Sequence, residues 1–234
     1  MSRRTPQGEE TRLRIIRVAA DLFHKQGVRA TSPDQVIDAS LTGKGQFYYY
    51  FKSKEGLVHA VLRYYLDALK SGSYPISYEI DSWNDLESWF YRHIELQKRF
   101  DMTRSCPVGT IGNEVGENDE LVRQDISLLA EIMKNKLAAF FIREKAAGRL
   151  TPNANEDEFA DFCIATIQGA MLVGKIKRDI RPVESTVRQA LAHLSRYRTP
   201  PADADSPLAA SDSEPSATRR FNADLNMPGV TKEK

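Results

Sequence analysis

Residues Thr42 to Lys54 read Thr-Gly-Lys-Gly-Gln-Phe-Tyr-Tyr-Tyr-Phe-Lys-Ser-Lys, a run in which most side chains suit contact with a polyanion. Lys44, Lys52 and Lys54 can each meet a phosphate, and Gly43 and Gly45 let the backbone approach closely. The amide of Gln46 both accepts and donates, which is what reading the edge of an adenine requires. Tyr48 and Tyr50 offer hydroxyls to phosphates, whereas Phe47 and Phe51 are better spent in a core. An aromatic patch packing one part of the chain on another is the alternative for residues 47–51, and the flanking lysines weigh against it. Gly43-Lys44 also looks like the end of a nucleotide-binding loop. That reading fails, because Asp38 stands six before Lys44 and Gly45 follows where Ser or Thr is needed.

A second reactive candidate is Cys106, in Arg104-Ser105-Cys106-Pro107-Val108-Gly109 at the start of a helical segment. The helix dipole and the nearby Arg104 would favour a thiolate there, while a small packing cysteine remains the other reading. Cys163 lies on an apolar helix face and reads as packing. With Cys106 and Cys163 so far apart, neither a disulfide framework nor a zinc site on paired thiols is expected. His24, His59, His93 and His193 show no close metal-ligand spacing and read as surface or core. The chain has no Gly-x-Ser-x-Gly elbow, no His-Glu-x-x-His and no Gly-x-Gly-x-x-Gly after a strand, so no enzyme, metal or cofactor is expected. A helical enzyme, or an interaction module binding a small apolar molecule, is the alternative.

The elements that would hold these residues are helices throughout. Ile15, Ile16, Ala19, Ala20, Leu22 and Phe23 form one apolar face over residues 9–26, before Gly27 offers a left-handed stop. Thr31 and Ser32 supply capping oxygens and Pro33 a first turn for a short helix carrying Val36 and Ile37. After a break at residues 40–43, a third helix runs from Gly45 to Phe51, and Ser53 caps a fourth bearing Leu57, Val61, Leu62 and Leu66. Three short helices with a tight break before the third match a helix-turn-helix. Beyond a break near Tyr74-Pro75, helices are expected over 83–100, 118–147, 156–177 and from Pro182 to about Tyr197, with a short irregular helical segment over 106–117.

The fold class is therefore all-α: a three-helix DNA-binding unit followed by a helical ligand-binding and dimerisation domain. We divide the chain into a flexible basic arm (1–8), the helix-turn-helix (9–53), a connecting helix (54–70), an effector-binding and dimerisation domain (71–198) and a disordered tail (199–234), which is rich in Pro, Ala, Ser and Asp. Charge follows the same division: about +5 over residues 1–70, and about −2 over each of 71–198 and 199–234. A basic N-terminal unit on an acidic body suits a polyanion partner, although a solvated basic face gives the same excess. The N-terminus has no apolar leader, and no run reads as the roughly 18 apolar residues of a membrane span, so a cytoplasmic protein is expected.

Thr31-Ser32-Pro33-Asp34-Gln35-Val36-Ile37 and Gly43-Lys44-Gly45-Gln46-Phe47-Tyr48-Tyr49-Tyr50-Phe51-Lys52-Ser53-Lys54-Glu55-Gly56-Leu57 resemble the TetR family of one-component regulators. The resemblance is close over about residues 10–66 and looser to about 198. It implies a homodimer on near-palindromic double-stranded operator DNA, and a small-molecule effector that changes the separation of two reading heads. Repression is the sign that it favours. It puts Lys44, Gly45, Gln46, Tyr48, Tyr50 and Lys54 at DNA-contacting positions, and Thr31 and Ser32 near a phosphate. Leu41 departs from the pattern, standing where many members have glycine in the turn. Dimer contacts would come from about 156–178 and 184–197. Trp89, Phe90, His93, Phe140, Phe162 and Met171 supply bulky lining for an effector pocket. Cys106 and Lys175 join them, since their surrounding segments resemble a branch of the family that includes electrophile-responsive regulators.

Overall fold

Capping residues set the helix starts. Thr5, Ser32, Ser53, Ser82, Asp119 and Asn155 each accept a backbone N–H from the first turn that follows, satisfying one of the orphan donors of a helix N-terminus. The computed structural model describes residues 5–114 and 119–199, and contains α1 (Pro6–Gln26), α2 (Pro33–Ala39), α3 (Lys44–Phe51), α4 (Lys54–Lys70), α5 (Trp83–Arg99), α6 (Pro107–Gly112), α7 (Glu120–Ala146), α8 (Glu156–Lys177) and α9 (Arg181–Ser195). Among the described residues there is no strand; Leu150 and Arg198 form a lone antiparallel bridge. The protein is all-α.

The expected flexible arm over 1–8 is partly helix: Thr5 caps and Pro6 opens α1, so the helix begins three residues before position 9. The proposed tail lies outside the described residues from 200 onward, as do residues 1–4 and 115–118.

α1, α2 and α3 close on a core that includes Ile16, Phe23, Val36, Phe47 and Phe51. Gly27 stops α1 with φ +89°. In the turn between α2 and α3 the left-handed position is held by Leu41 and not by glycine: it adopts φ +52° and is 88% exposed, a conformation that costs an L-residue roughly 1–2 kcal/mol. Gly56, at the start of α4, is a glycine for a different reason. A Cβ there would lie 2.0 Å from the Phe51 carbonyl oxygen.

α4 packs on both α1 and α7, and so joins this head to the body formed by α5–α9. On its outer side, His59 and Arg63 face the Asp125 carboxylate of α7. α8 lies between α7 and α9. The close passage of α8 at Gly174 leaves no room for a side chain, since a Cβ would come within 2.4 Å of Met102 and 2.8 Å of Val183. Contrary to the sequence expectation, α8 is long and apolar enough to cross a membrane. Its apolar residues divide in two: Phe159, Cys163, Ile167 and Met171 fill the core, while Leu172, Val173 and Ile176 face outward.

Candidate functional site

Two places gather functional side chains: the outward face of α3 and a cavity inside the body. On α3, Phe47 and Phe51 point into the head's core, one helical turn apart. That leaves Lys44, Gly45, Gln46, Tyr48 and Tyr49 exposed on the other side. Nothing lies within 4 Å of a Cβ built on Gly43 or Gly45, so the protein's own packing demands glycine at neither position. Lys44 makes an exposed ion pair with Asp34 at 3.5 Å. Gln46 accepts weakly from the Gly43 amide at 3.4 Å. These tethers are loose and solvent-exposed, so a competing phosphate or base edge can displace them at little cost.

The remaining expected contacts sit at the rim. Ser32 is exposed and engaged in a capping box with Gln35. Tyr50 is half-buried, its hydroxyl close to Gly8 at the start of α1. Lys54 reaches back to the Arg29 carbonyl at 3.4 Å. Thr31 needs correction as a direct phosphate contact. It is 1% exposed, its hydroxyl donating to the Gly27 carbonyl (2.7 Å) and accepting from Gln26, so it holds the turn ahead of α2 instead of presenting itself to solvent. Tyr49, which the sequence reading left without a role, is 67% exposed with Lys52 over its ring. Its place in the run of three tyrosines was the available signal.

The cavity, about 40 Å³ in volume, lies among side chains from six parts of the chain. α5 and its C-cap contribute His93, Leu96, Gln97 and Phe100, and the segment before it contributes Tyr74, Pro75, Ile76 and Tyr78. Ser105, Cys106 and Pro107 come from the start of α6 and the residues just before it, His24 from α1, Tyr65 from α4, and Gln168 and Met171 from α8. Of the residues expected around an effector, His93, Cys106 and Met171 meet here. Trp89, Phe90, Phe140, Phe162 and Lys175 do not line it. Trp89 backs the wall by stacking on His93, Phe140 packs on Trp83 and Phe141, and Phe162 stacks on His193. Lys175 is half-buried and acts on His24 only through its charge. Periodicity puts Trp89, Phe90 and Phe140 on inward helix faces, but cannot tell the face toward a cavity from the face toward solid core; Phe162 is only half-buried, and Lys175 rests on the resemblance alone.

Burial governs the titration of this wall. Desolvation holds His93 at about 4, against the opposing hydrogen bond from its Nδ1 to the Trp89 carbonyl (2.8 Å). His24 is likewise held at about 4 by burial, assisted by Arg104 and Lys175 and opposed by its contact with the Ser105 carbonyl. Burial raises the phenols of Tyr65, Tyr74 and Tyr78 far above their ordinary value. Both imidazoles and all three phenols are therefore neutral near pH 7.

The approach to α6 is bound to the head as well as to the cavity. His24 Nε2 donates to the Ser105 carbonyl at 2.6 Å, and Arg104 pairs with Asp21 at 2.6 Å while stacking on Phe100. Arg104 was expected to favour a Cys106 thiolate; its guanidinium is instead engaged by α1. At the far end of α6, Glu114 accepts the Arg29 amide at 2.6 Å. Among the described residues, no cluster of three His, Cys, Asp or Glu side chains is placed to hold a metal ion.

A helix-turn-helix with an exposed, lysine- and tyrosine-bearing second helix, set on a helical body with an internal cavity, has the form of a DNA-binding regulator. Comparison with known proteins agrees. The bacterial regulatory proteins of the tetR family match residues 15–61, and the tetracyclin repressor-like C-terminal domain matches residues 84–190. The chain is 28% identical over 183 residues to a helix-turn-helix-type transcriptional regulator of the lacX 3′ region in Lactococcus lactis subsp. lactis, covering 75% of this chain and 88% of that protein. It is 25% identical to the transcriptional repressor DhaR of Mycobacterium sp. strain GP1, covering 77% and 88% respectively. The structure of a cysteine mutant of the TetR family regulator CifR with a 26-base-pair operator superposes with a TM-score of 0.66 at 19% identity, covering 82% of this chain and 98% of that one. The protein belongs to the TetR family of DNA-binding transcriptional regulators.

Proposed function

We propose that this protein is a cytoplasmic repressor that binds a near-palindromic operator as a homodimer and leaves it when an effector occupies the cavity. α3 enters the major groove, with Gln46 reading base edges and Lys44, Tyr48 and Lys54 meeting phosphates. The dimer forms through α8 and α9. Ala165, Gly169, Leu172, Val173 and Ile176 make a stripe of exposed small and apolar residues along α8, the kind of self-matching surface that a two-fold interface buries.

The observation that carries this reading is the double role of residues 104–106. They are tied to the cavity through Ser105 and Cys106, and to α1 through Arg104–Asp21 and Ser105–His24. An occupant that moves this segment tilts α1 and changes the spacing of the two α3 helices, which must match the roughly 34–36 Å between successive major grooves. The effector does this only in so far as it prefers the tilted state.

Selection from a randomised duplex pool should return a near-palindromic site. Binding to it should weaken steeply with salt, and Lys54→Ala should reduce the slope by about one. A purified dimer without sequence preference overturns the proposal. Because Cys106 lines the cavity, a thiol-reactive compound is a second route to release. N-ethylmaleimide should lower operator affinity in wild type and leave Cys106→Ser unaffected; equal responses exclude that route.

A further inference from the structure

We propose that the cavity takes an uncharged ligand with an apolar body and at least one hydroxyl group, a phenol or an alcohol, whose O–H donates to the side-chain oxygen of Gln97. This rests on the cavity being the effector site, and it names the chemistry of the effector.

No Asp, Glu, Lys or Arg is among the described residues lining the cavity. The two imidazoles are neutral near pH 7 and the three phenols keep their protons. Arg104 and Lys175 act on His24 through their charge, but neither lines the cavity and Arg104 is already paired with Asp21. A carboxylate or ammonium entering the cavity would lose its hydration and meet no countercharge in the lining, a penalty that burial of an unpaired ion does not recover.

Polar demand inside the cavity is specific. Gln97 is 2% exposed and its side-chain oxygen has no hydrogen-bond partner; the Ser105 hydroxyl oxygen is also buried without one. One turn before Gln97 on the same face of α5, His93 donates from Nδ1 to the Trp89 carbonyl, so its neutral ring keeps Nε2 as an acceptor. Two acceptors on one helix face therefore call for a donor on the ligand. A ketone, ether or ester has none. A hydroxyl satisfies Gln97 and can accept in turn from a wall hydroxyl such as that of Ser105. The rest of the lining, including Ile76, Leu96, Phe100 and Met171 with the rings of Tyr74 and Tyr78, favours an aromatic or aliphatic remainder.

Four molecules of one shape test this: 4-ethylphenol, ethylbenzene, 4-ethylbenzoate and 4-ethylbenzylammonium, titrated into the full-length dimer at pH 7.5 by calorimetry, with operator affinity followed in parallel by fluorescence anisotropy. Leaving the Gln97 oxygen unpaired should make ethylbenzene about 10-fold weaker than the phenol. The two ions should be weaker by at least about 100-fold. Gln97→Leu should bring the phenol and ethylbenzene to similar affinities; if that variant does not fold, the ranking on wild type decides alone. An ion or ethylbenzene binding as tightly as the phenol overturns the ligand class, as does failure of all four to bind. Tight binding of the phenol with no change in operator affinity supports the ligand class and sinks the effector reading.

Discussion

Tyrosine serves opposite ends on α3 and in the cavity. Tyr48 and Tyr49 are exposed beside lysines, Tyr48 edge-on to Phe47 and Tyr49 edge-on to Tyr50 with Lys52 over its ring. Tyr65 and Tyr78 are buried and Tyr74 half-buried; all three are neutral, with Tyr74 edge-on to Tyr65 and tilted against Tyr78. The first environment keeps charge in water, where it can be traded for the charge of a partner; the second removes charge and leaves shape and a few hydrogen bonds to discriminate. Salt should therefore govern what α3 does, and pH and buried polarity should govern what the cavity does.

Acidification tests the cavity side most strongly. His24 and His93 have folded-state values near 4, below the ordinary 6.5, so the unfolded chain binds more protons between those limits. Their contribution to stability is present in full above pH 6.5 and is lost as pH falls toward 4. From pH 7 to pH 5 the pair should cost roughly 4 kcal/mol, read as a falling urea midpoint. A midpoint unchanged over that range would mean that the rings are solvated.

Moving one carboxylate between the two regions comes next. Gln97→Glu should lower stability by roughly 3 kcal/mol at pH 8, and by less at lower pH relative to wild type, because a buried acid takes up a proton. Gly45→Glu sits in open space, so it should change stability by under about 0.5 kcal/mol while abolishing operator binding. Equal stability losses would erase the contrast. On a finer scale, Lys44→Ala should reduce the salt slope of operator binding by about one while sparing ligand affinity. Smallest of all, Leu41→Gly should stabilise the head by about 1 kcal/mol in thermal melts through relief of its left-handed backbone.

The two regions also differ in how far the sequence discloses them. α3 carries its chemistry within one turn and a half of consecutive residues, so composition and the alternation of Phe47 and Phe51 with outward side chains suffice to orient it. Capping residues such as Ser32, Ser53 and Asn155 mark helix starts in the same local way. Thr5-Pro6 carries the cap and first turn of α1 inside the stretch whose charge suggests a basic arm. The cavity has no such local signature. Tyr74 and Tyr78 fall in a stretch whose Gly72 and Pro75 read only as a break, and His24 belongs to a helix otherwise devoted to the head. Gln97 and Gln168 are polar positions that become notable only when α5 and α8 converge. Thr31 shows the reverse: its type and neighbours suit a phosphate contact, and only the folded turn reveals that its hydroxyl is already used.

The seam between head and body is polar, and that limits how the protein can be rebuilt. Asp21 and His24 on α1 receive Arg104 and Ser105. A chimera carrying a foreign reading unit on this body would need an acid and an imidazole at those two heights of its first helix. Without them, on the proposed release mechanism, both halves would fold and the head would still bind DNA, but occupation of the cavity would no longer reach it.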